Sequence, residues 1–538
     1  MNAYTSRLKQ ILSSKRAGFV VVGLAMISRV IQLVYFFNIR VDGSFQVMAT
    51  QNLLHGHGVS LAKVLPGDLS STFYEPLINW PPGYSFLLAP FYFLTGNYVT
   101  AGIFVDILSA WLLIISSRKL LKALNVPLHL VNMYTFITGF FLYYFYVVAS
   151  TDAIGISLFV TAFYFTIAIL KKEKLLAFRI FLFSSLLVII AFLKYLFIPV
   201  AFLIPLFLVA YGLKNRKRGL TRTGLLSFAV LLIAVAALLV YQKSVSGSAA
   251  YISSPERGFF PGHLAAAYPF IPGAVVQPGS VRGVLPGKDF YHLVFISYQV
   301  IHWILFVLFT CYLFTFIFRS RLKNIALAES YFVISWFVSI TITALLLILS
   351  LTVAKEEIIP GLFWTYLEEA RYYGLPVVLI HAGIFIYFVH PQARIGKWKY
   401  VPYIIIVLLL PETIRGLAFD ARRVFIGREE YSWQYEERFQ QYADHLIRKK
   451  KKEFGVDHVV VTASSYMNSR ISLYNHVPIL YPVEQVNNMD SLQTSKPVLL
   501  LVVLDDEKKD RFVPFISSRQ PDGQFDGFTF YAVYVKPE

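Results

Sequence analysis

Apolar stretches too long to be strands, and too numerous to share one soluble core, recur along this 538-residue chain. They centre on 18–38, 99–117, 129–149, 152–170, 177–193, 196–213, 222–243, 294–318, 328–352, 373–391 and 400–416. At 1.5 Å per residue, a helical run of roughly twenty residues crosses a hydrocarbon layer about 30 Å thick. The expected fold is an all-α polytopic membrane bundle of about eleven transmembrane helices. Apolar residues make up 57% of the chain and charged residues 15%, which excludes a disordered chain and a soluble nucleic-acid binder although the net charge is +18. Membrane lipids are therefore expected around the chain, and no nucleic acid. The single cysteine, Cys311, lies within an apolar run, so neither an intrachain disulfide nor a cysteine-ligated metal is expected. The first apolar run is followed by Asn38-Ile39-Arg40 without a small-residue cleavage site, and reads as an uncleaved anchor.

Charge placement gives the orientation. Arg7, Lys9, Lys15 and Arg16 precede the first run, and Arg118/Lys119/Lys122, Lys171/Lys172/Lys174/Arg179, Lys214/Arg216/Lys217/Arg218/Arg222, Arg319/Arg321/Lys323 and Arg394/Lys397/Lys399 fill every second connection. The alternate connections are longer yet poorer in Lys and Arg, so the N-terminus is expected on the cytoplasmic side of the cytoplasmic membrane. An odd number of spans then places 417–538 outside, as a second domain following a transmembrane domain over 1–416. A charged helical stretch from Glu429 to Lys452, apolar runs at Val459-Val460-Val461 and Val498 to Leu504, and alternation from Phe528 to Val535 make this tail a small α/β extracytoplasmic domain. No repeat of 20–50 residues and no inverted repeat is evident.

Two outer loops, 39–98 and 244–293, exceed the usual length of connections and are rich in aromatic, Pro and Gly residues. The first opens with Asp42 and runs to Gly58 as an interfacial helix. By position alone Asp42 is an N-cap, satisfying free amide groups at the helix start. The stretch Arg40-Val41-Asp42-Gly43, then Ala49, Asn52-Leu53-Leu54, Gly56 and Gly58, then Trp80-Pro81-Pro82-Gly83-Tyr84-Ser85-Phe86-Leu87-Leu88-Ala89-Pro90, closely resembles the first outer loop of the superfamily C glycosyltransferases. These membrane enzymes use polyprenyl-phosphate sugars and include protein O-mannosyltransferases and lipid A aminoarabinose transferases; the resemblance is closest to bacterial members of unknown acceptor. It implies a polyprenyl-phosphate sugar donor, a lipid, glycan or protein acceptor, and a catalytic role for Asp42. Gly43 stands where many members carry a second acidic residue, so a site of adjacent carboxylates for a divalent metal is not expected, and neither is a cofactor; Phe45 replaces a frequent Tyr.

Glycosyl transfer from a lipid phosphate needs a base for the acceptor hydroxyl and cations for the leaving phosphate, and one carboxylate suffices for inversion. Lys194-Tyr195 interrupts an apolar run at an outer turn, either as a phosphate contact or as a snorkelling lysine with its neighbour. Arg371-Tyr372 follows Glu368-Glu369 and resembles a late Arg-Tyr motif of the same enzymes; Arg371 either grips phosphate or pairs with Glu369. Asp152 opens a span as an N-cap, an acceptor ligand, or a group that positions Asp42 or a clamp residue. Arg257 and His263 lie in a flap-like second loop, with an inert surface the plainer reading. His55 and His57 would not face the same way on a helix, so no metal is expected there. Arg29 and Asp106, at similar depths in the first two spans, are expected to pair, with Arg29 reaching a donor phosphate as the alternative. The competing functions are a transporter or flippase of a lipid-linked sugar, which should hold ionisable groups at the bilayer midplane, and a noncatalytic membrane scaffold.

Overall fold

The computed structural model describes residues 10–36, 41–65, 67–141, 151–171, 177–247, 401–426, 432–464 and 467–537, with isolated positions between 304 and 382. Contacts divide the chain into two units. The first is helical and holds all or most of α1 (Lys15–Phe36), α4 (Tyr98–Ala123), α5 (Leu128–Phe140), α6 (Thr151–Leu170), α7 (Ala177–Leu193), α8 (Phe197–Lys214), α9 (Arg218–Ser246) and α10 (Val401–Ile426), whereas α2 (Val41–Leu54) and α3 (Gly83–Thr95) belong to the other unit. Among the described residues, five helices are long and apolar enough to cross a membrane: Lys15–Tyr35, Tyr98–Ala123, Thr151–Leu170, Phe197–Lys214 and Arg218–Ser246, with the shorter apolar Ala177–Leu193 beside them. The expected spans at 294–318, 328–352 and 373–391 lie outside the described residues apart from isolated positions.

Glycine sets how closely these helices approach. A Cβ on Gly139 of α5 would overlap the Ala25 side chain of α1, and one on Gly155 of α6 would overlap the Phe197 ring of α8. Lipid offers apolar side chains no less favourable surroundings than a neighbouring helix does, so close backbone approach and polar bonds hold such a bundle. Arg118 donates to Thr135 Oγ1 at 2.6 Å and to Asn132 Oδ1 at 2.8 Å. Arg29, 3% exposed, donates to Gln32 Oε1 at 2.6 Å and to the carbonyls of Thr138 and Phe141 at 2.7 and 2.9 Å. The expected pairing of Arg29 with Asp106 does not form. The end of α5 offers carbonyls that lack helical partners, and these suit a guanidinium. The Asp106 carboxylate is fully buried and accepts no hydrogen bond among the described residues.

The second unit joins the described residues of Val34–Val105, Tyr241–Ala249 and Glu430–Glu538. From the first stretch come α2 (Val41–Leu54), an antiparallel hairpin of β1 (Ser60–Leu65) and β2 (Asp68–Pro76), and α3 (Gly83–Thr95). Gly56 and Gly58, at φ of 85° and 70°, turn the chain out of α2 in the left-handed region that glycine favours. From the last stretch come α11 (Ser432–Phe454), β3 (His458–Ala463), α12 (Met467–Asn475), β4 (Val498–Asp505), α13 (Val513–Ile516), β5 (Gly523–Phe525) and β6 (Phe528–Val535). The sheet order is β3-β4-β6-β5, with β3 parallel to β4 and the other pairs antiparallel. Residues Val498 through Leu504 are all fully buried, as expected of a central strand covered on both faces.

Ile479 ties the hairpin to this sheet. It forms parallel bridges with Lys63 of β1 and with Val461 of β3, so backbone bonds run from the hairpin into the C-terminal strands. Asp68 fastens the hairpin turn: its carboxylate accepts from the Ser70 amide and hydroxyl, the Ser71 hydroxyl, and the Ser495 amide and hydroxyl. The Ser71 hydroxyl and then the Ser495 amide hold this carboxyl well below the usual range. The position 416/417, where hydropathy placed the domain boundary, falls inside α10.

Candidate active site

Asp42 is the second residue of α2. The two halves of the loop motif pack together. Phe45 stacks with Trp80 at a centroid distance of 6.1 Å, and the Ser85 hydroxyl donates to the Gln46 carbonyl at 3.0 Å. The segment 80–90 therefore buttresses the helix that carries Asp42, which gives the Trp-Pro-Pro-Gly-Tyr-Ser run a physical task. Gln46 follows Asp42 by four residues, one helical turn, and so occupies the same helix face. It is 1% exposed, and neither atom of its side-chain amide has a hydrogen-bond partner among the described residues. An unmet buried amide group costs about 1–3 kcal/mol, which makes Gln46 a ligand-contact candidate that the sequence reading did not single out. Its only sequence signal is the four-residue spacing from Asp42.

Lys194 and Asp152 meet in the first unit. Asp152 lies in the first turn of α6, and Lys194 sits in the tight turn between α7 and α8, where the Phe197 amide donates to the Lys194 carbonyl at 2.9 Å. The ammonium reaches Asp152 Oδ1 at 2.7 Å, with the side chains 15% and 2% exposed. Asp152 thus orients Lys194. Gly155, one turn further along α6, lets Phe197 close over this end of the helix. Tyr195 follows in the same turn and is partly buried. Asp42 belongs to the other unit. Arg371, Tyr372, Glu369, Arg257 and His263 lie outside the described residues.

The two loop histidines are engaged separately. His57 stacks flat on Tyr74, with centroids 3.7 Å apart, while His55 Nδ1 bonds the Gln51 carbonyl at 2.8 Å. Gln51 Nε2 meets the ring of His476. Among the described residues, no group of three or more His, Cys, Asp or Glu side chains converges.

No family model and no curated protein matches this chain. Solved structures do. The crystal structure of ArnT from Cupriavidus metallidurans bound to undecaprenyl phosphate is similar at a TM-score of 0.51 and 12% identity, over 96% of this chain and 97% of that one. The apo state of the same protein gives 0.51 and 14%, over 96% and 98%. The chain has the ArnT fold. At such identity the likeness lies in the path of the backbone rather than in shared side chains, yet it spans almost the whole of both proteins. With its apolar helices, the ArnT fold makes this a multi-pass membrane protein.

Proposed function

We propose that the chain is an integral-membrane glycosyltransferase that moves a sugar from a polyprenyl-phosphate carrier to an acceptor hydroxyl, with inversion, at the outer face of the cytoplasmic membrane. The observation that carries this reading is the full-length likeness to an ArnT structure holding undecaprenyl phosphate, on a chain whose loop motif points the same way. Asp42 takes the proton of the acceptor hydroxyl. The acceptor oxygen bonds to the anomeric carbon as the carbon–phosphate oxygen bond breaks, and polyprenyl phosphate leaves with the electron pair. Lys194, oriented by Asp152, and Arg371 stabilise the charge growing on the phosphate, which replaces a general acid. With Gly43 beside Asp42 there is no second adjacent carboxylate, so the proposed chemistry runs without a metal. In this reading about eleven helices form the bundle over 1–416, and 417–538 is an extracytoplasmic domain.

The test is transfer by the purified protein from a labelled polyprenyl-phosphate sugar. Asp42→Asn should lose about 10²–10⁴ of the turnover, the usual contribution of a general base, while still binding donor. Parental turnover by that variant would remove Asp42 from the chemistry, and a strong chelator that abolished transfer until metal was restored would overturn the metal-free step.

A second reading has its own support. Asp106 and Asp420 are buried in apolar helices, the latter accepting from Ser28 and Gln32, and ionisable groups inside membrane helices often mark a translocation path. A flippase of lipid-linked sugar moves its substrate between leaflets without breaking the glycosyl bond. Transfer in detergent, where no leaflets exist, separates the two.

A further inference from the structure

The second unit holds an open cleft of about 360 Å³ lined by α2, the hairpin and the segment around α12. It lies toward the far end of α2 from Asp42: nine residues separate Asp42 from Gln51, about 14 Å along the helix axis. It is therefore a different place from the proposed chemistry, and its size falls at the small end of the usual range for ligand sites, about 300–1,000 Å³.

Its polar groups are uncharged amides, hydroxyls and imidazoles that can both donate and accept. Gln51 Nε2 meets His476, which leaves Oε1 and a second N–H. Asn52 Nδ2 donates to the Ser60 carbonyl at 2.7 Å, which leaves Oδ1 and its other N–H, and the Thr72 and Tyr74 hydroxyls also line the space. His55 Nδ1 bonds the Gln51 carbonyl, which leaves Nε2 for a ligand. Burial, and then the neighbouring His55, hold His476 below the usual imidazole range. Among the described residues, the lining contains no Asp, Glu, Lys or Arg. A phosphate or carboxylate would find no cation among these lining residues. A neutral ligand rich in hydroxyls, which donate and accept in equal measure, fits. The flat pair of His57 and Tyr74 supplies an aromatic surface of the kind on which the C–H face of a sugar ring packs.

We propose that this cavity binds a neutral sugar ring. Resting on the glycosyltransferase reading, the ring belongs to a non-reacting part of a glycan-bearing acceptor, held away from Asp42 by α2 and the C-terminal segment together. Such remote binding energy is what positions a long acceptor for reaction.

The test is saturation-transfer NMR on the purified full-length protein, in a detergent without a sugar head group. The probes are the methyl glycosides of glucose, mannose, galactose and N-acetylglucosamine, with glucuronate and glucosamine as charged comparisons. At least one neutral glycoside should receive saturation. Tyr74→Ala, which removes half of the aromatic pair, should weaken it about tenfold, the equivalent of about 1.4 kcal/mol. Thr72→Trp, at an exposed lining position of β2, should block it by filling the space. If one variant fails to fold, the other decides. The proposal is overturned if no neutral glycoside binds, if binding is equal in the folded variants, or if the charged sugars bind in preference. No donor and no turnover enter this measurement. Binding lost with transfer intact in the parent therefore sinks the cavity alone, and binding found with no transfer sinks the glycosyltransferase reading alone.

Discussion

The two units differ in which polar groups they leave unmet. In the helical unit, charged side chains are mostly matched from within: Arg29 by carbonyls at the end of α5, Arg118 by Thr135 and Asn132, Lys194 by Asp152, and Asp420 by Ser28 and Gln32. In the unit built from the first loop and the C-terminal stretch, the Gln46 amide is left unmet and an open cleft collects uncharged polar groups. An apolar surround penalises every unmatched charge, which accounts for these pairs; Asp106, fully buried and without a hydrogen-bond partner among the described residues, is the exception. Under the proposed function, recognition falls to the second unit, and the first supplies a scaffold with a few prepared charges.

The largest expected effect comes from breaking a matched pair in the helical unit. Asp152→Asn or Lys194→Met alone leaves a buried partner uncompensated and should cost about 3–5 kcal/mol, seen as a lowered thermal midpoint in detergent. The double variant should recover most of that loss. If Lys194 also meets donor phosphate, the double variant will remain weak in donor binding despite its restored stability; full recovery of donor affinity would leave the pair a purely structural element. Next in size is Gly155→Ala, which presses a methyl into the Phe197 ring and should cost about 1–3 kcal/mol. Phe197→Leu in the same chain should relieve much of it.

How much of this could be read from the sequence depends on the range of the signal. Hydropathy is local, and helices such as Tyr98–Ala123 and Thr151–Leu170 lie where apolar windows placed spans. The apolar runs at 459–461 and 498–504 and the alternation at 528–535 coincide with β3, β4 and β6 for the same reason. The hairpin at 60–76 was not anticipated, although Pro66-Gly67 between two alternating runs is a turn signal. Its union with the C-terminal sheet was beyond reach, because the bridges through Ile479 are backbone bonds between segments some 400 residues apart and leave no mark in side-chain pattern. The Arg29–Asp106 expectation failed because depth along a helix says nothing of rotation about its axis, nor of carbonyls freed at a neighbouring helix end. Lys194 and Asp152 were each visible as charges at span ends, but their union required knowing which helices pack. Asp42 was named by its motif rather than by its surroundings.

The second unit can be probed from the opposite direction, by removing a group that is not matched. Gln46→Leu discards an amide without partners and should raise stability by about 1–3 kcal/mol. The same change should lower transfer if the amide meets substrate one turn from Asp42. A variant more stable and equally active would make Gln46 a tolerated defect rather than a ligand group, and would blur the contrast between the units.

The smallest effect tests how the first loop is held to the C-terminal strands. Asp68→Ala removes the carboxylate that joins the hairpin turn to Ser495, and should cost about 1 kcal/mol near neutral pH. Because the folded carboxyl titrates below its unfolded value near 3.9, its stabilisation is fully present above about pH 4 and is lost as the pH falls. The parent and variant should therefore differ at pH 7 and converge in strong acid. Hydrogen exchange at the Ser495 amide, which donates to Asp68 in the folded chain, reads this directly. Faster exchange in the variant at pH 7, with the difference shrinking toward acid, would show Asp68 as a second fastening beside Ile479. Equal protection at both pH values would mean that the backbone bridges through Ile479 hold the hairpin alone, and that the seam between loop and strands is set by main chain rather than by charge.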